Sequence, residues 1–329
     1  MADLETFACA GVTDFLKRSY KINTGTEKTN NKLLITLENA VILQQFMCMD
    51  KKILYVAIRA AVEAGAKIME VYTDPDADFE IERKADNSPL TVADRKSHEV
   101  ISDLLKETPY PILSEEGKKI PTEERRSWRE LWVVDPLDGT KEFIKRNGEF
   151  TVNIAWVKDG CPEAGVIYIP VKQELYFADR ETGAWKLGGV SRVEEKGTVD
   201  DLMARAQRLP HAGDKRDSFV IVASRSHLTP ETEAYIIEME RKHPKVETLS
   251  AGSSLKLCLV AEGRADVYPR FAPTMEWDTA AGDAIVRASG GKVCQAGTDE
   301  PLVYNKENLL NPWFVVSRER EYGMVCQII

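Results

Sequence analysis

The chain has 329 residues, of which 43% are hydrophobic and 29% are charged, and this balance excludes a largely disordered protein. Its formal net charge of -9 argues against general binding to nucleic-acid polymers, which usually needs a basic surface. The chain has no uninterrupted apolar run of about 18 residues, the minimum for a membrane-spanning helix, so no membrane span is expected.

The cysteines and the first residues indicate a cellular compartment. Six cysteines are scattered along the chain without C-x-x-C spacing, which favours reduced thiols over a disulfide framework or a zinc site. The chain begins Met-Ala-Asp-Leu-Glu, which is acidic where a secretory signal is basic. We therefore expect a cytoplasmic protein.

The predicted elements of the first half mix helices with strands. Residues 1–48 carry no recognisable chemistry and are interpreted as an N-terminal extension, with Met49 as a hypothetical natural start. Apolar residues at helical spacing predict a helix over 50–72. Thr91 is a plausible N-cap of a second helix that ends near residue 106, with Asp94 and Leu104 on its inner face. Strands are predicted over 112–114, 131–134, 150–157, 165–170 and 174–178.

The second half alternates strands with helices. Strands are predicted over 219–223 and 265–268, and helices over 230–242, 253–262 and 279–289. The polar segment 186–217 is a candidate boundary between the halves. The sequence thus predicts an α+β first half followed by an α/β second half, with domains over 49–205 and 206–329.

The most informative segment joins an apolar strand to a helix. The strand is expected to end at Asp135, because Pro136 has no amide hydrogen for the sheet. Asp138 follows three residues later, and Gly139-Thr140 opens the helix. Two carboxylates in such a turn can share hard cations, which prefer oxygen ligands, and the free helix amides can bind phosphate. The alternative is an ordinary tight turn, since Asp and Gly are common there.

Acidic residues at three other positions strengthen the hypothesis of a metal site. Glu115 follows the short strand 112–114, at the kind of strand end where α/β proteins often bind ligands. Asp278 lies at the start of a predicted helix, where capping alone would also explain it. Asp94 lies in the first turn of another helix. Glutamates in loops are most often simply solvated, so none of these acids is decisive alone.

Together, the run from Lys84 to Asp94, the SEEG motif, the DPLDGT motif and the WDTAAGDA motif resemble the inositol monophosphatase superfamily. The resemblance covers roughly residues 50–318 and leaves only the N-terminal extension unexplained. It implies a layered α-β-α-β-α sandwich and a magnesium-dependent, lithium-sensitive phosphatase.

The resemblance also implies which residues bind two or three Mg²⁺ ions. Glu115, Asp135 and the carbonyl of Leu137 would hold one ion. Asp135, Asp138 and Asp278 would hold a second. Two adjacent cations can neutralise a phosphate ester and activate a water molecule, so no covalent nucleophile is required.

Two residues are implied in the catalytic step itself. Asp94, with Glu115, would contact a third, weakly held ion through water. Thr140 would donate a hydrogen bond to Asp94 and help to orient the attacking water.

The region after residue 220 resembles the bacterial, CysQ-like 3′(2′),5′-bisphosphate nucleotidases within this superfamily. The Lys of GSSLK, at 256, is the feature that inositol monophosphatases typically lack. The resemblance implies hydrolysis of the 3′-phosphate of adenosine 3′,5′-bisphosphate to AMP, with a role in sulfur metabolism. The implied substrate-binding residues are Gly139, Thr140, His227, Ser253, Lys256 and Arg270.

Alternative functions stay open at this point. The same scaffold could carry an inositol or sugar phosphatase, or a nucleotide-binding regulator without catalysis. The presence of every expected acid and of Thr140 speaks against the regulator. The expected partner is a small phosphate ester. The sequence does not decide between a monomer and a homodimer.

Overall fold

A computed structural model of the protein describes residues 51–76, 79, 82–83, 89–211, 216–223 and 229–318. The predicted N-terminal extension and the hypothetical start at Met49 lie outside these residues. The described residues belong to one compact unit, Cys48–Ile329. The division of this unit into domains at residues 205 and 206 stays a prediction.

The helices and strands largely follow the predicted pattern. The helices of the described residues are α1 Lys51–Tyr72, α2 Val92–Leu105, α3 Thr122–Arg125, α4 Thr140–Ile144, α5 Val199–Met203, α6 Pro230–Lys242, α7 Leu255–Glu262 and α8 Glu276–Ala288. The strands are β1 Glu82–Arg83, β2 Pro89–Leu90, β3 Ile112–Ser114, β4 Glu130–Asp138, β5 Thr151–Lys158, β6 Cys161–Ile169, β7 Glu174–Asp179, β8 Gly183–Leu187, β9 Gln207–Leu209, β10 Phe219–Ala223, β11 Val246–Ser250, β12 Val267–Arg270, β13 Gly291–Gln295 and β14 Phe314–Arg318.

Two sheets form the framework of the described residues, apart from the short β1–β2 hairpin. The larger sheet has seven strands in the order β3 to β9, antiparallel except for the parallel β3–β4 pair. The smaller sheet has five strands in the order β11-β10-β12-β14-β13, with β10 parallel to both of its neighbours.

Alternating side chains explain why the larger sheet is covered on both faces. On β5, Val152, Ile154 and Trp156 join the apolar cluster of α1 and α2, whereas Ala155 and Val157 join that of α7 and α8. Helix α7 also contacts the smaller sheet, whose outer face packs against α6. The layers are therefore α1 and α2, the larger sheet, α7 and α8, the smaller sheet, and α6, so the predicted α-β-α-β-α sandwich is confirmed.

Strand β4 does not end at Asp135, as the sequence suggested. Asp135 pairs with Asn153, the register then shifts, and Asp138 pairs with Thr151. Pro136 does interrupt the ladder, but the chain absorbs it in a bulge and returns to the sheet. Asp135 and Asp138 consequently lie on the same strand, on either side of this bulge.

Several helix predictions need small corrections. Thr91 does cap α2, but Leu105 is fully buried and Leu104 only partly, so the inner face ends one residue later than predicted. Helix α7 begins at Leu255 because Ser253 has a left-handed φ of 50°, which a helix does not accommodate. Helix α8 begins at Glu276, so Asp278 lies inside its first turn.

Two further expectations concern thiols and membranes. Among the described cysteines, Cys161, Cys258 and Cys294 are free thiols, in agreement with the scattered spacing. The described part of the chain contains no helix that is both long enough and apolar enough to cross a bilayer.

Candidate active site

Three of the predicted metal ligands meet at one point. Glu115, Asp135 and Asp278 each offer a carboxylate oxygen, and these oxygens lie within 4.8 Å of one another. Glu115 follows β3, where its amide nitrogen donates to the carbonyl of Val134 at 3.1 Å. Asp135 lies on the neighbouring strand β4, and Asp278 comes from α8. Residues far apart in the sequence thus form one acidic cluster of oxygen ligands, the set that hard divalent cations prefer.

The bulge in β4 shapes this cluster. Asp135 is 1% exposed, and its Oδ1 accepts a hydrogen bond from the amide of Leu137 at 3.1 Å. The carbonyl of Leu137 lies 3.4 Å from the hydroxyl of Thr140. Ser97 of α2 donates to the carbonyl of Pro136 at 2.6 Å, which fixes the bulge against the helix that carries Asp94.

Three side chains form hydrogen bonds with the carboxylate of Asp138, and the sequence did not indicate any of these contacts. The hydroxyls of Ser253 and Ser254 lie 2.6 and 2.8 Å from its Oδ2, and the amide of Asn153 lies 3.4 Å away. Asn153 also donates to Ser254 at 2.9 Å. One signal for Asn153 was available, because it is a polar residue in an otherwise largely apolar strand.

The predicted hydrogen bond between Thr140 and Asp94 is present, with the Thr140 hydroxyl 3.1 Å from Asp94 Oδ1. The other oxygen, Oδ2, accepts from the amide and the hydroxyl of Thr91 at 2.8 and 2.5 Å, which closes the capping box of α2. Hydrogen bonds to both carboxylate oxygens therefore fix the orientation of the Asp94 side chain. Its role in catalysis stays a prediction.

The electrostatics of the cluster fit a bound cation. Burial raises the pKa of Asp278 well above its ordinary value, and the charges of Asp138 and Glu115 raise it further. The same carboxylate caps its helix by accepting from the amide of Met275 at 2.8 Å. Asp135 is buried and Glu115 and Asp278 are half-buried, and acids this close together are stabilised by a divalent ion between them, so these oxygens fit Mg²⁺.

A cavity of about 130 Å³ opens beside Asp138 and Asp278. Four of the predicted substrate-binding residues line it: Gly139, Ser253, Lys256 and Arg270. The cavity is also lined by Glu142, Tyr268 and Thr274, which no sequence motif had indicated. The predicted residue His227 lies outside the described residues.

Lys256 is almost fully buried, with 6% exposure. Its ammonium donates to the carbonyl of Ser253 at 2.6 Å and approaches that of Ala251 at 3.4 Å. Burial lowers the pKa of Lys256 to about 8, although the nearby charge of Asp138 opposes this shift. Arg270 is oriented by hydrogen bonds to Thr274 Oγ1 and the carbonyl of Pro273, both at 3.1 Å. Two cationic side chains therefore border the cavity.

A buried polar network fixes the start of α8, which carries Asp278. Glu276 is fully buried and accepts hydrogen bonds from the amides of Asn305 and Lys306, at 2.5 and 3.1 Å, and from the Lys306 ammonium at 2.6 Å. Asn305 accepts a further hydrogen bond from Arg125 at 2.8 Å. The network links α3, which follows Glu115 in the chain, to α8, the helix that carries Asp278.

Replacing Lys306 with methionine is expected to destabilise the protein by about 3 kcal/mol, because Glu276 is then left buried without its counter-ion. Burial already raises the pKa of Glu276, and Lys306 opposes that shift. Chemical denaturation at neutral pH measures the effect. Lys106→Met is the control, because the 2.7 Å pair of Lys106 with Asp103 is solvent-exposed, and it is expected to cost less than about 1 kcal/mol. Equal losses in the two variants would contradict the anchoring role of Lys306.

Comparisons with known proteins extend these observations. Residues 49–327 match the inositol monophosphatase family. A protein of Escherichia coli strain K12 named 3′(2′),5′-bisphosphate nucleotidase CysQ is 46% identical over 260 residues, which cover 78% of this chain and 96% of that protein. A relative with the same name from Buchnera aphidicola is 39% identical over 81% of this chain and 94% of its own length.

Solved structures agree with this relationship. The crystal structure of CysQ from Bacteroides thetaiotaomicron, described as a bacterial member of the inositol monophosphatase family, has 61% sequence identity and a TM-score of 0.77. That match covers 82% of this chain and 98% of the other. The extragenic suppressor protein SuhB of Bartonella henselae has 28% identity and a TM-score of 0.60, over 82% and 94% of the two chains. The chain belongs to the inositol monophosphatase family.

Proposed function

We propose that this protein is a magnesium-dependent phosphatase that removes the 3′-phosphate of adenosine 3′,5′-bisphosphate and releases AMP. The observation that carries the proposal is the convergence of Glu115, Asp135 and Asp278 beside a cavity bordered by Lys256 and Arg270. An acidic cluster suits cations that bind the reacting phosphate, and the basic side of the cavity suits a second phosphate. The relatives named as bisphosphate nucleotidases support the same substrate.

The acidic cluster of Glu115, Asp135 and Asp278 would hold the metal ions together with Asp138, and the carbonyl of Leu137 would be a further oxygen ligand. When bound, two or three Mg²⁺ ions would neutralise the phosphate charge and lower the pKa of the attacking water. The chain would contribute no covalent nucleophile in this mechanism.

Protein side chains would supply the orientation. Thr140 and Asp94 form a hydrogen-bonded pair whose geometry is already fixed, so Asp94 can accept a proton from water without reorganising. Ser253 and Ser254 hold Asp138 in place against repulsion from the other acids. Gly139 borders the cavity directly before α4, and its φ of 93° is a left-handed conformation that glycine adopts without strain.

The second phosphate would lie between Lys256 and Arg270, with His227 as a further predicted contact. Arginine and lysine are the side chains that most often bind phosphate oxygens. An inositol monophosphate has no second phosphate for these cations to bind, which favours the bisphosphate over the alternative of an inositol phosphatase. Removal of this bisphosphate would place the enzyme in sulfur metabolism.

A phosphate-release screen tests the proposed substrate. We expect kcat/KM to be highest for adenosine 3′,5′-bisphosphate, compared with inositol 1-phosphate and sugar phosphates, and we expect Li⁺ to inhibit the reaction and EDTA to abolish it. Higher kcat/KM for inositol 1-phosphate would establish the alternative phosphatase. Binding of the bisphosphate without phosphate release, in saturating Mg²⁺, would instead establish a catalytically silent regulator.

The lowered pKa of Lys256 predicts a pH effect on substrate binding. Below its pKa of about 8 the side chain carries the positive charge, and above it the charge is lost. The substrate phosphates do not titrate in this range, because their second pKa is about 6. We therefore expect KM for the bisphosphate to rise severalfold between pH 7.5 and 9, whereas KM for adenosine 3′-monophosphate changes little. Parallel pH profiles for the two substrates would remove Lys256 from the second phosphate site.

A further inference from the structure

Tyr268 lines the same cavity as Lys256 and Arg270 but has no role in the mechanism so far. It lies on β12 two residues before Arg270, and side chains at this spacing on a strand point to the same face. The ring of Tyr268 packs edge-to-face against Phe314, which keeps the ring in place. Tyr268 and Arg270 are thus presented to the cavity together by one rigid strand.

The hydroxyl of Tyr268 makes no hydrogen bond to any residue in the described part of the chain, although the residue is only 4% exposed. Buried tyrosine hydroxyls normally have a partner. In this protein the hydroxyl of Tyr168 donates to the carbonyl of Val190, that of Tyr176 to Glu262 and that of Tyr304 to Asp283. Tyr268 differs from these three because its polar group borders a cavity that a ligand can enter.

The surroundings indicate the charge of that ligand. The Lys256 ammonium lies 5.4 Å from the centre of the Tyr268 ring, and Arg270 follows on the same face of the strand. Burial raises the pKa of Tyr268, so its hydroxyl stays protonated and can donate a hydrogen bond. A neutral donor beside two cations is suited to an anionic oxygen, such as one of a phosphate group.

We propose that Tyr268 is a specificity-determining residue whose hydroxyl donates a hydrogen bond to the phosphate that the substrate retains. The inference rests on the proposed function and adds a third donor to the two cations of the cavity. Because the retained phosphate does not react, this hydrogen bond contributes equally to the ground state and the transition state, so it affects KM rather than kcat.

The variant Tyr268→Phe tests the inference without removing any hydrogen bond among the described residues of the free protein. We expect KM for adenosine 3′,5′-bisphosphate to rise about tenfold, equivalent to about 1.4 kcal/mol, with little change in kcat. KM for adenosine 3′-monophosphate, which lacks the retained phosphate, stays unchanged. The midpoint of thermal unfolding also stays unchanged, because the ring and its packing are preserved.

Tyr168→Phe is the matched control. It removes a buried hydroxyl that donates to the carbonyl of Val190, so it is expected to lower the unfolding midpoint and to leave both KM values unaltered. The two variants thus separate a hydroxyl that stabilises the fold from one that binds ligand.

A titration with AMP makes the result independent of catalysis, because AMP carries only the retained phosphate. Calorimetry on the full chain in Mg²⁺ is expected to give a Kd about tenfold higher for Tyr268→Phe than for the unmodified protein. That result supports the role of Tyr268 even if the bisphosphate is not hydrolysed and the proposed reaction fails. Equal Kd values would overturn the inference. A fall in kcat for both nucleotides would also overturn it, since the hydroxyl would then contact the reacting phosphate.

Discussion

Replacing Asp135 with asparagine is expected to lower kcat for phosphate release by about a thousandfold, equivalent to about 4 kcal/mol of transition-state stabilisation. Asp135 is the ligand that the family resemblance assigns to two metal ions, and in the structure its carboxylate meets those of Glu115 and Asp278. Asparagine keeps the oxygen that accepts from the amide of Leu137, so the bulge of β4 is retained. The loss is therefore expected in catalysis and not in folding.

The control for this variant is Asp179→Asn. Asp179 is also a buried aspartate of the larger sheet, but it ends β7 and accepts hydrogen bonds from the amides of Glu181 and Thr182 in the turn before β8. We expect kcat of this control to match that of the unmodified protein. Turnover near the normal value in Asp135→Asn, at saturating Mg²⁺, would contradict the metal assignment.

Replacing Asp278 with asparagine is expected to reduce strongly the stabilisation of the protein by Mg²⁺. The raised pKa of Asp278 means that the folded protein resists ionisation of this group, so its charge destabilises the fold when no cation is present. The metal-free variant should therefore be at least as stable as the unmodified protein. At about 100 times the Kd for Mg²⁺, the unmodified protein gains about 2.7 kcal/mol and the variant gains much less.

Thermal unfolding with and without Mg²⁺ measures this difference, and Asp283→Asn on the same helix is the control. Asp283 is fully buried, and its carboxylate is paired with Arg287 and accepts a hydrogen bond from Tyr304. The control is expected to lose about 3 kcal/mol with or without metal, because Arg287 is left without its partner, and to keep its gain from Mg²⁺. An equal gain from Mg²⁺ in Asp278→Asn and in the unmodified protein would show that Asp278 binds no ion.

The acidic cluster could be predicted from the sequence because local patterns mark each of its positions. Glu115 follows a short strand, Asp135 is followed by a proline that interrupts pairing, and Asp278 lies in the first turn of a helix. Each pattern has an ordinary structural explanation, so only their joint occurrence in the family order indicated a shared site. The three-dimensional proximity of the oxygens required the structure.

The residues that hold Asp138 could not be predicted, because they depend on strand register and on one unusual backbone angle. Asn153 reaches Asp138 because it pairs with Asp135, the residue directly before the bulge. Ser253 reaches Asp138 from a left-handed conformation before α7, which few residues other than glycine adopt. Neither the register nor a positive φ at serine is encoded in local periodicity.

The polar network that anchors α8 could not be predicted from the sequence either. Arg125 and Asn305 are 180 positions apart in the chain, and Asn305 has a left-handed φ of 64°. A contact between residues so far apart in the chain leaves no pattern in the local sequence around either of them. Tyr268 was missed for a different reason, since a tyrosine in a strand is normally a core residue. What distinguishes Tyr268 is a hydroxyl that borders the cavity and has no hydrogen-bond partner among the residues that the structure describes.

The most direct test of the metal site is anomalous diffraction from crystals grown with Mn²⁺ in place of Mg²⁺, because both ions prefer oxygen ligands. We predict an anomalous peak within bonding distance of Glu115, Asp135 and Asp278, next to the cavity that Lys256 lines. An anomalous map without a peak among these three carboxylates, at a Mn²⁺ concentration that supports full activity, would contradict this prediction.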